Sequence, residues 1–175
     1  MAITPPKDFI AGIEAKLRRF NEATEYTLIQ ELMIIGEKAV NEARQHHAYK
    51  DQTGNLTSSI GYAIFKDGEL VYISQFNQRY KSKKKNNEVG TAEGENYALS
   101  LASQFPQGIT LVVVAGMNYA AYVERKGIGG MTGAELKATT EIEKILKRMT
   151  KEAYRFEEKM GKQIGKYIRD SSKKQ

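Results

Sequence analysis

The sequence predicts an α+β fold: a small, mostly antiparallel sheet packed on a long N-terminal helix and a long C-terminal helix. Three observations predict it. Apolar residues recur every three or four positions from Ile10 to Ala43 and again from Ile142 to Tyr167, the period of a helix face. Between these stretches, Asp67-Gly68 separates two short strand-like runs, a strong hairpin signal because glycine tolerates positive φ. Further on, Ile109 to Met117 is nearly continuous in apolar and β-branched residues. The alternative is an all-helical bundle with a protruding hairpin, and the β-branched run argues against it. We read residues 1–175 as one domain, since a chain of this length holds one core readily and two with difficulty.

The first helix is expected to open at Thr4, as N-cap, with Pro5 in the first turn. Ile10, Ile13, Leu17, Phe20, Leu28, Leu32, Ile35, Ala39 and Ala43 form its inner face, and Ile29, Met33 and Val40 a second apolar edge. It should end near His46, followed by a polar loop. Thr53 can cap a short turn at Gly54 that delivers Ile60 into a strand. Ser59 to Phe65 and Glu69 to Phe76 then form the first antiparallel pair. Asn77 to Glu95 is lysine-rich, punctuated by glycine and nearly empty of large apolar residues, which predicts a mobile basic excursion. Trypsin should therefore cut first between Arg79 and Lys85.

Gly94-Glu95-Asn96 opens a short helix with Tyr97, Leu101 and Phe105 on one face, stopped by Pro106. The Ile109 to Met117 run predicts a strand covered on both faces, placed at the centre of the sheet. Asn118 is expected to cap the helical turn Tyr119 to Glu124. Residues 127–133, rich in glycine, read as a flexible linker without G-x-G-x-x-G or P-loop spacing. The last helix runs from Ala134 to about Arg169. Its heptad-like seam is Ile142, Ile145, Met149, Phe156, Met160, Ile164 and Tyr167, with Ala153 filling the gap. At 1.5 Å per residue it spans about 50 Å, so part should pack on the first helix and part should meet another subunit.

Composition narrows the function. The apolar share of 41% and charged share of 27% are those of an ordinary soluble globular protein. There is no cysteine, which excludes disulfides, thiolate metal sites and cysteine nucleophiles. The longest apolar run falls far short of the roughly 20 residues of a membrane helix. Met1-Ala-Ile-Thr-Pro-Pro has neither the basic region nor the apolar core of a signal peptide, so synthesis in the cytoplasm and no membrane partner are expected. The net charge of +6 is concentrated in two places, a cluster of Arg79, Lys81, Lys83, Lys84 and Lys85 and the stretch Lys144 to Lys174. Such patches can attract nucleic acid or an acidic protein surface, but no aromatic residues are interleaved as stacking platforms.

Catalysis finds little support. His46 and His47 are adjacent, so a regular helix points them about 100° apart and they cannot chelate one ion together. The pairs Glu93/Glu95 and Glu141/Glu143 are not fixed in a dry pocket, and Thr53, Ser58 and Ser59 have no histidine base placed beside them. No enzyme activity, cofactor or metal is expected. Tyr119, Tyr122 and Glu124 are the candidate subunit contact. In one helical turn the two tyrosines share a side, and a polar tip on an apolar body suits an interface. Alternatively both rings close the edge of the core and Glu124 is solvated or pairs with Arg125.

Two segments carry a resemblance. Thr53, Gly54, Leu56, Ser59 and Ile60 match a Thr-Gly-x-Leu-x-x-Ser-Ile element that starts a first strand. Tyr119, Ala120, Tyr122, Val123 and Glu124 match a Tyr-Ala-x-Tyr-Val-Glu-x-Gly element after a later strand, with Arg125-Lys126 ahead of Gly127 and Ile128 where threonine is usual. In this order the chain resembles the head–tail connector or tail-completion (neck) proteins of long-tailed bacteriophages and prophages. The resemblance implies a virion structural protein, made in the bacterial host cytoplasm, that assembles as a homo-oligomeric ring and meets phage connector and tail-tube proteins. A basic nucleic-acid-binding protein, using the Arg79 to Lys85 cluster and the last helix, is the rival reading.

Overall fold

The computed structural model describes residues 5–50, 52–76 and 87–173. The elements are α1 (Lys7–Gln45), α2 (Asn55–Ser58), β1 (Ile60–Lys66), β2 (Glu69–Ile73), α3 (Asn87–Ser100), a 3-10 turn (Ala102–Gln104), β3 (Ile109–Ala115), α4 (Ala120–Arg125) and α5 (Met131–Ser172). The protein is α+β, with long helices at either end and a three-stranded antiparallel sheet ordered β2-β1-β3. Contacts group the chain into two compact units. Unit 1 is Met1–Leu28 with Glu143–Gln175, and unit 2 is Ile29–Ile142.

Unit 2 is built around β1. Tyr62, Ala63, Ile64 and Phe65 are all fully buried, so this strand is covered on both faces. Side-chain alternation divides them. Ala63 and Phe65 join Phe76, Ala98, Leu101 and Val114 under α3. Tyr62 turns the other way, where a Cβ on Gly36 of α1 would lie 2.5 Å from its ring. Its hydroxyl donates to the Met33 carbonyl at 3.0 Å, and burial pushes its pKa up, so the phenol stays neutral. The hairpin turn follows the sequence closely. Asp67 (φ 51°) and Gly68 (φ 84°) both occupy the left-handed region that a two-residue hairpin turn demands. Asp67 Oδ1 also accepts from Gly108 N–H at 2.8 Å, which ties the turn to the entry of β3.

Several boundaries differ from those the sequence predicts, each for a physical reason. β1, not β3, is central, and β3 is an edge strand whose residues are half-buried except Val114. An unbroken apolar run reports cover on both faces, and helices supply that cover at an edge as well as in the middle. β2 ends at Ile73: Ser74 N–H still donates to the Tyr62 carbonyl at 2.9 Å, but the Ser74 Oγ replaces a backbone carbonyl as acceptor from Tyr62 N–H at 2.8 Å. Residues 87–95, expected to be mobile, are the first turns of α3. Their glycines are clearances: a Cβ on Gly90 would lie 2.1 Å from the Asn55 carbonyl oxygen, and one on Gly94 2.5 Å from that of Ser59. Residues 127–133 are not a free linker either. Ile128 carbonyl accepts from Ala48 and Tyr49 N–H, Gly130 sits against Ala43, and α5 has begun by Met131. The expected Thr4 cap and the segment 77–86 lie outside the described residues.

Unit 1 is a pair of antiparallel helix segments. Phe9 stacks on Tyr167 with ring centroids 4.1 Å apart, and Phe20 on Phe156 at 4.0 Å. Between them Lys16 Nζ donates to Gln163 Oε1 at 2.7 Å. The seam on α5 holds Ile145, Met149, Phe156, Met160, Gln163 and Tyr167. Ile164 is 39% exposed and Ala153 is exposed, so the predicted seam is corrected at both. After Met160 the helical repeat brings Gln163, three residues on, to the partner helix and carries Ile164 away. Ile10 and Leu17 likewise stand on the surface, outside the seam of α1.

Candidate subunit-contact surface

Both motif segments that carry the resemblance lie in unit 2. Gly54 adopts φ 77° and starts the single turn α2, and Thr53 Oγ1 accepts from Asn55 N–H at 3.3 Å. The turn buries Leu56, Thr57, Ser58 and Ser59. Ser59 is the junction: its carbonyl accepts from Gly116 N–H at 3.1 Å and its Oγ from Met117 N–H at 3.3 Å. The end of β3 is thereby fixed just before the turn that carries the tyrosines. Tyr119, rather than Asn118, occupies the N-cap position of α4, and no side chain caps that helix.

Tyr119 is 39% exposed and Tyr122 57%, so neither ring closes the core; Tyr122 lies beneath Lys126 Nζ, 5.3 Å from its ring centroid. Glu124 faces inward. Its carboxylate accepts from Met131 N–H at 3.2 Å, Thr132 N–H at 2.8 Å and the Thr132 hydroxyl, at the first turn of α5. A helix N-terminus presents unpaired N–H groups and partial positive charge, so a carboxylate there is a cap. Gly129 allows the approach, since a Cβ at that position would collide with Glu124 Oε2. Burial works to raise the Glu124 pKa, but the hydrogen bonds from Thr132 and Met131 outweigh it and hold the carboxyl below its ordinary value. The sequence placed Glu124 with the tyrosines; the structure gives it the capping role, which its distance of seven and eight residues from its partners concealed.

The sign of the pH effect follows. A carboxyl depressed in the folded state stabilises above its ordinary pKa, and that stabilisation is lost as pH falls through the lowered value. Glu124→Gln should cost about 1–2 kcal/mol at neutral pH, the scale of a lost cap. The gap from the parent should close in acid, measured by thermal melts at neutral and acidic pH. A gap independent of pH would show that the charge is not what caps α5.

Beside α4 lies the outer edge of β3, with a mostly apolar groove on each face. One, of about 280 Å³, is lined by Leu111 and Val113 with Met131, Ala134, Ala138 and Ile142, and by Glu135 and Thr139. The other, of about 410 Å³, lies over Val112 and Val114 and reaches Tyr97, Phe105, Ala120 and Ala121, with Gln104 and Glu124 as its polar lining. No Lys, Arg, Asp or Glu occurs in Ile109–Ala115. β2, at the other edge, is short and broken by a bulge between Ile64 and Phe65 of its partner, a usual way of blunting an edge. β3 has no such device.

The remaining candidates stay apart from this surface or from any site. His46 Nδ1 stands 3.0 Å from Glu42, and His47 stacks on Tyr49. The Lys137 ammonium, bonded to Glu42, holds that carboxyl below its ordinary pKa, with His46 adding to the effect. Among the described residues no group of His, Asp and Glu is placed to hold a metal ion, and no helix is long and apolar enough to cross a membrane. Glu93 and Glu95 lie on α3. The cluster Arg79, Lys81, Lys83, Lys84 and Lys85 lies outside the described residues. Comparison of the chain with family models, curated proteins and solved structures finds no match.

Proposed function

We propose that this chain is a structural protein of a phage or prophage virion, similar to head–tail joining and tail-completion proteins. It assembles as a ring between connector and tail and performs no chemistry of its own. The observation that carries the reading is the uncharged outer edge of β3, flanked by two mostly apolar grooves and by the exposed rings of Tyr119 and Tyr122. An edge strand with pockets for alternate side chains is what strand addition uses, main-chain bonds supplying affinity and the pockets register. If the patch that receives it lies elsewhere on the next copy, the contact is heterologous, and a heterologous contact that closes makes a ring. The phage assignment comes from the resemblance; in the fold, Ser59 of the first motif segment holds Gly116 and Met117, the residues that lead into the Tyr119–Glu124 segment.

Light scattering on the purified protein tests the assembly. Wild type should show a mass several times that of one chain, and Tyr119→Ala/Tyr122→Ala should weaken association on the order of ten-fold or more, as loss of interface aromatics does. The double variant should keep its fold, checked by circular dichroism, because both rings lie outside the core. A wild-type protein that stays monomeric at its highest soluble concentration would contradict the reading.

A further inference from the structure

The charge of this chain belongs to one unit. Residues 29–142 hold twelve basic and twelve acidic side chains, whereas residues 1–28 and 143–175 hold fifteen basic and nine acidic. The whole excess of +6 therefore sits in unit 1, and within it in residues 143–175, which hold eleven basic and five acidic side chains, since residues 1–28 balance. The phase of that helix sorts it further. With 3.6 residues per turn, the nine Lys and Arg residues from Lys144 to Arg169 fall within an arc of about 120°, and Lys173, just past the end of α5, continues their phase. Lys144, Lys151, Arg155, Lys162, Lys166 and Arg169 are successive markers of the stripe, and all ten side chains are exposed. Of the acidic residues in the same stretch only Glu158 enters the arc, where it pairs with Lys162 at 2.6 Å. Glu143, Glu152, Glu157 and Asp170 fall outside it. From Lys144 to Lys173 the stripe runs about 44 Å, longer than the ~34 Å of one turn of duplex DNA. Across the groove floored by Phe20, Phe156 and Met160, Lys16 and Arg19 of α1 add two cations beside Lys159.

We propose that this face of α5 is a contact for the phosphate backbone of duplex nucleic acid. The chemistry favours phosphates over an acidic protein. A protein interface needs an apolar core with aromatic anchors, and the arc contains cations, one glutamate and no aromatic ring. Backbone binding draws its affinity from charge alone, by release of condensed counterions, and is blind to sequence. The absence of interleaved aromatics, which single-strand binders use as stacking platforms, points to duplex. The inference stands apart from ring assembly, which rests on residues of unit 2, so either can fail alone.

The experiment is titration of full-length protein with random-sequence duplex DNA at two salt concentrations, with polyglutamate as a second polyanion. For about five phosphate contacts, affinity should fall on the order of several-hundred-fold between 50 and 200 mM salt. Lys151→Glu/Arg155→Glu/Lys162→Glu/Lys166→Glu should lose at least ten-fold in affinity and most of the salt slope. Lys81→Glu/Lys83→Glu/Lys84→Glu/Lys85→Glu makes the same change in net charge outside the stripe and should have a small effect. A four-fold glutamine version of the stripe variant, checked by circular dichroism, guards against loss of fold and should fall between wild type and the glutamate variant. Equal losses in the stripe and control variants, polyglutamate bound as tightly as duplex, or no binding at low salt would each overturn the proposal.

Discussion

Tyr62→Ala is expected to destabilise the protein by about 3–5 kcal/mol, the range for deleting a large buried ring. The reason lies in what the ring joins. Tyr62 is fully buried on the central strand, its ring is packed on Gly36 of α1, and its hydroxyl reaches the Met33 carbonyl. Tyr72 of β2 stands beside it with ring centroids 5.6 Å apart. Removing the side chain opens a cavity between helix and sheet that surrounding backbone cannot close, because close packing transmits rather than absorbs such a change. Tyr62→Phe keeps the ring and loses one hydrogen bond, so it should cost only about 1 kcal/mol. Urea unfolding followed by circular dichroism measures both. Similar costs for the two variants would mean that the hydroxyl, not the packing, dominates, and would contradict this account of the core.

The second large effect is a contrast in sign. Gly90→Ala on α3 should destabilise by about 1–3 kcal/mol, because the new methyl meets the backbone of Asn55 rather than a movable side-chain end. Gly161→Ala on α5 places the same methyl in open space, with no atom within 4 Å. There the substitution should stabilise by about 0.5–1 kcal/mol, since alanine costs the unfolded chain less entropy and suits a helix better. Thermal melts of the two variants are compared directly. If Gly90→Ala is neutral or stabilising, α3 does not cross α2 as closely as the structure has it.

Gly90 and Gly161 are both glycines in polar surroundings, and no local pattern distinguishes clearance from tolerance. Reading Gly90 and Gly94 as punctuation made residues 87–95 part of an excursion; what fixes them as helix is the approach of α2 and β1 from distant sequence. Features with local causes were legible. The Asp67-Gly68 turn was plain because positive φ at two successive residues is a demand of the chain itself. Both long helices were plain from their apolar period, although the period alone left Ile10, Leu17 and Ile164 assigned to faces they do not join. Sheet order was not legible, since an apolar run states how many faces are covered and nothing about which strands are neighbours.

The site divides the same way. Tyr119, at the N-cap of α4, and Tyr122, on that helix, are exposed, which decides between the interface and the closed core edge that their spacing alone left open. Glu124 belongs to the helix that follows, through bonds to Met131 and Thr132. The grooves beside β3 combine α3, α4 and α5 with one strand and exist only in three dimensions. The stripe on α5 lies between these cases. Counting charge located it in the chain, and helix phase then gathered ten cations onto one side.

Assembly into a closed ring is the centre of the functional proposal, and electron microscopy of the negatively stained, purified protein tests it most directly. Wild type should form closed rings of uniform diameter, and the Tyr119→Ala/Tyr122→Ala variant should appear as isolated particles under the same conditions. Wild-type protein that appears only as single chains, or rings that persist unchanged in the double variant, would contradict the proposal.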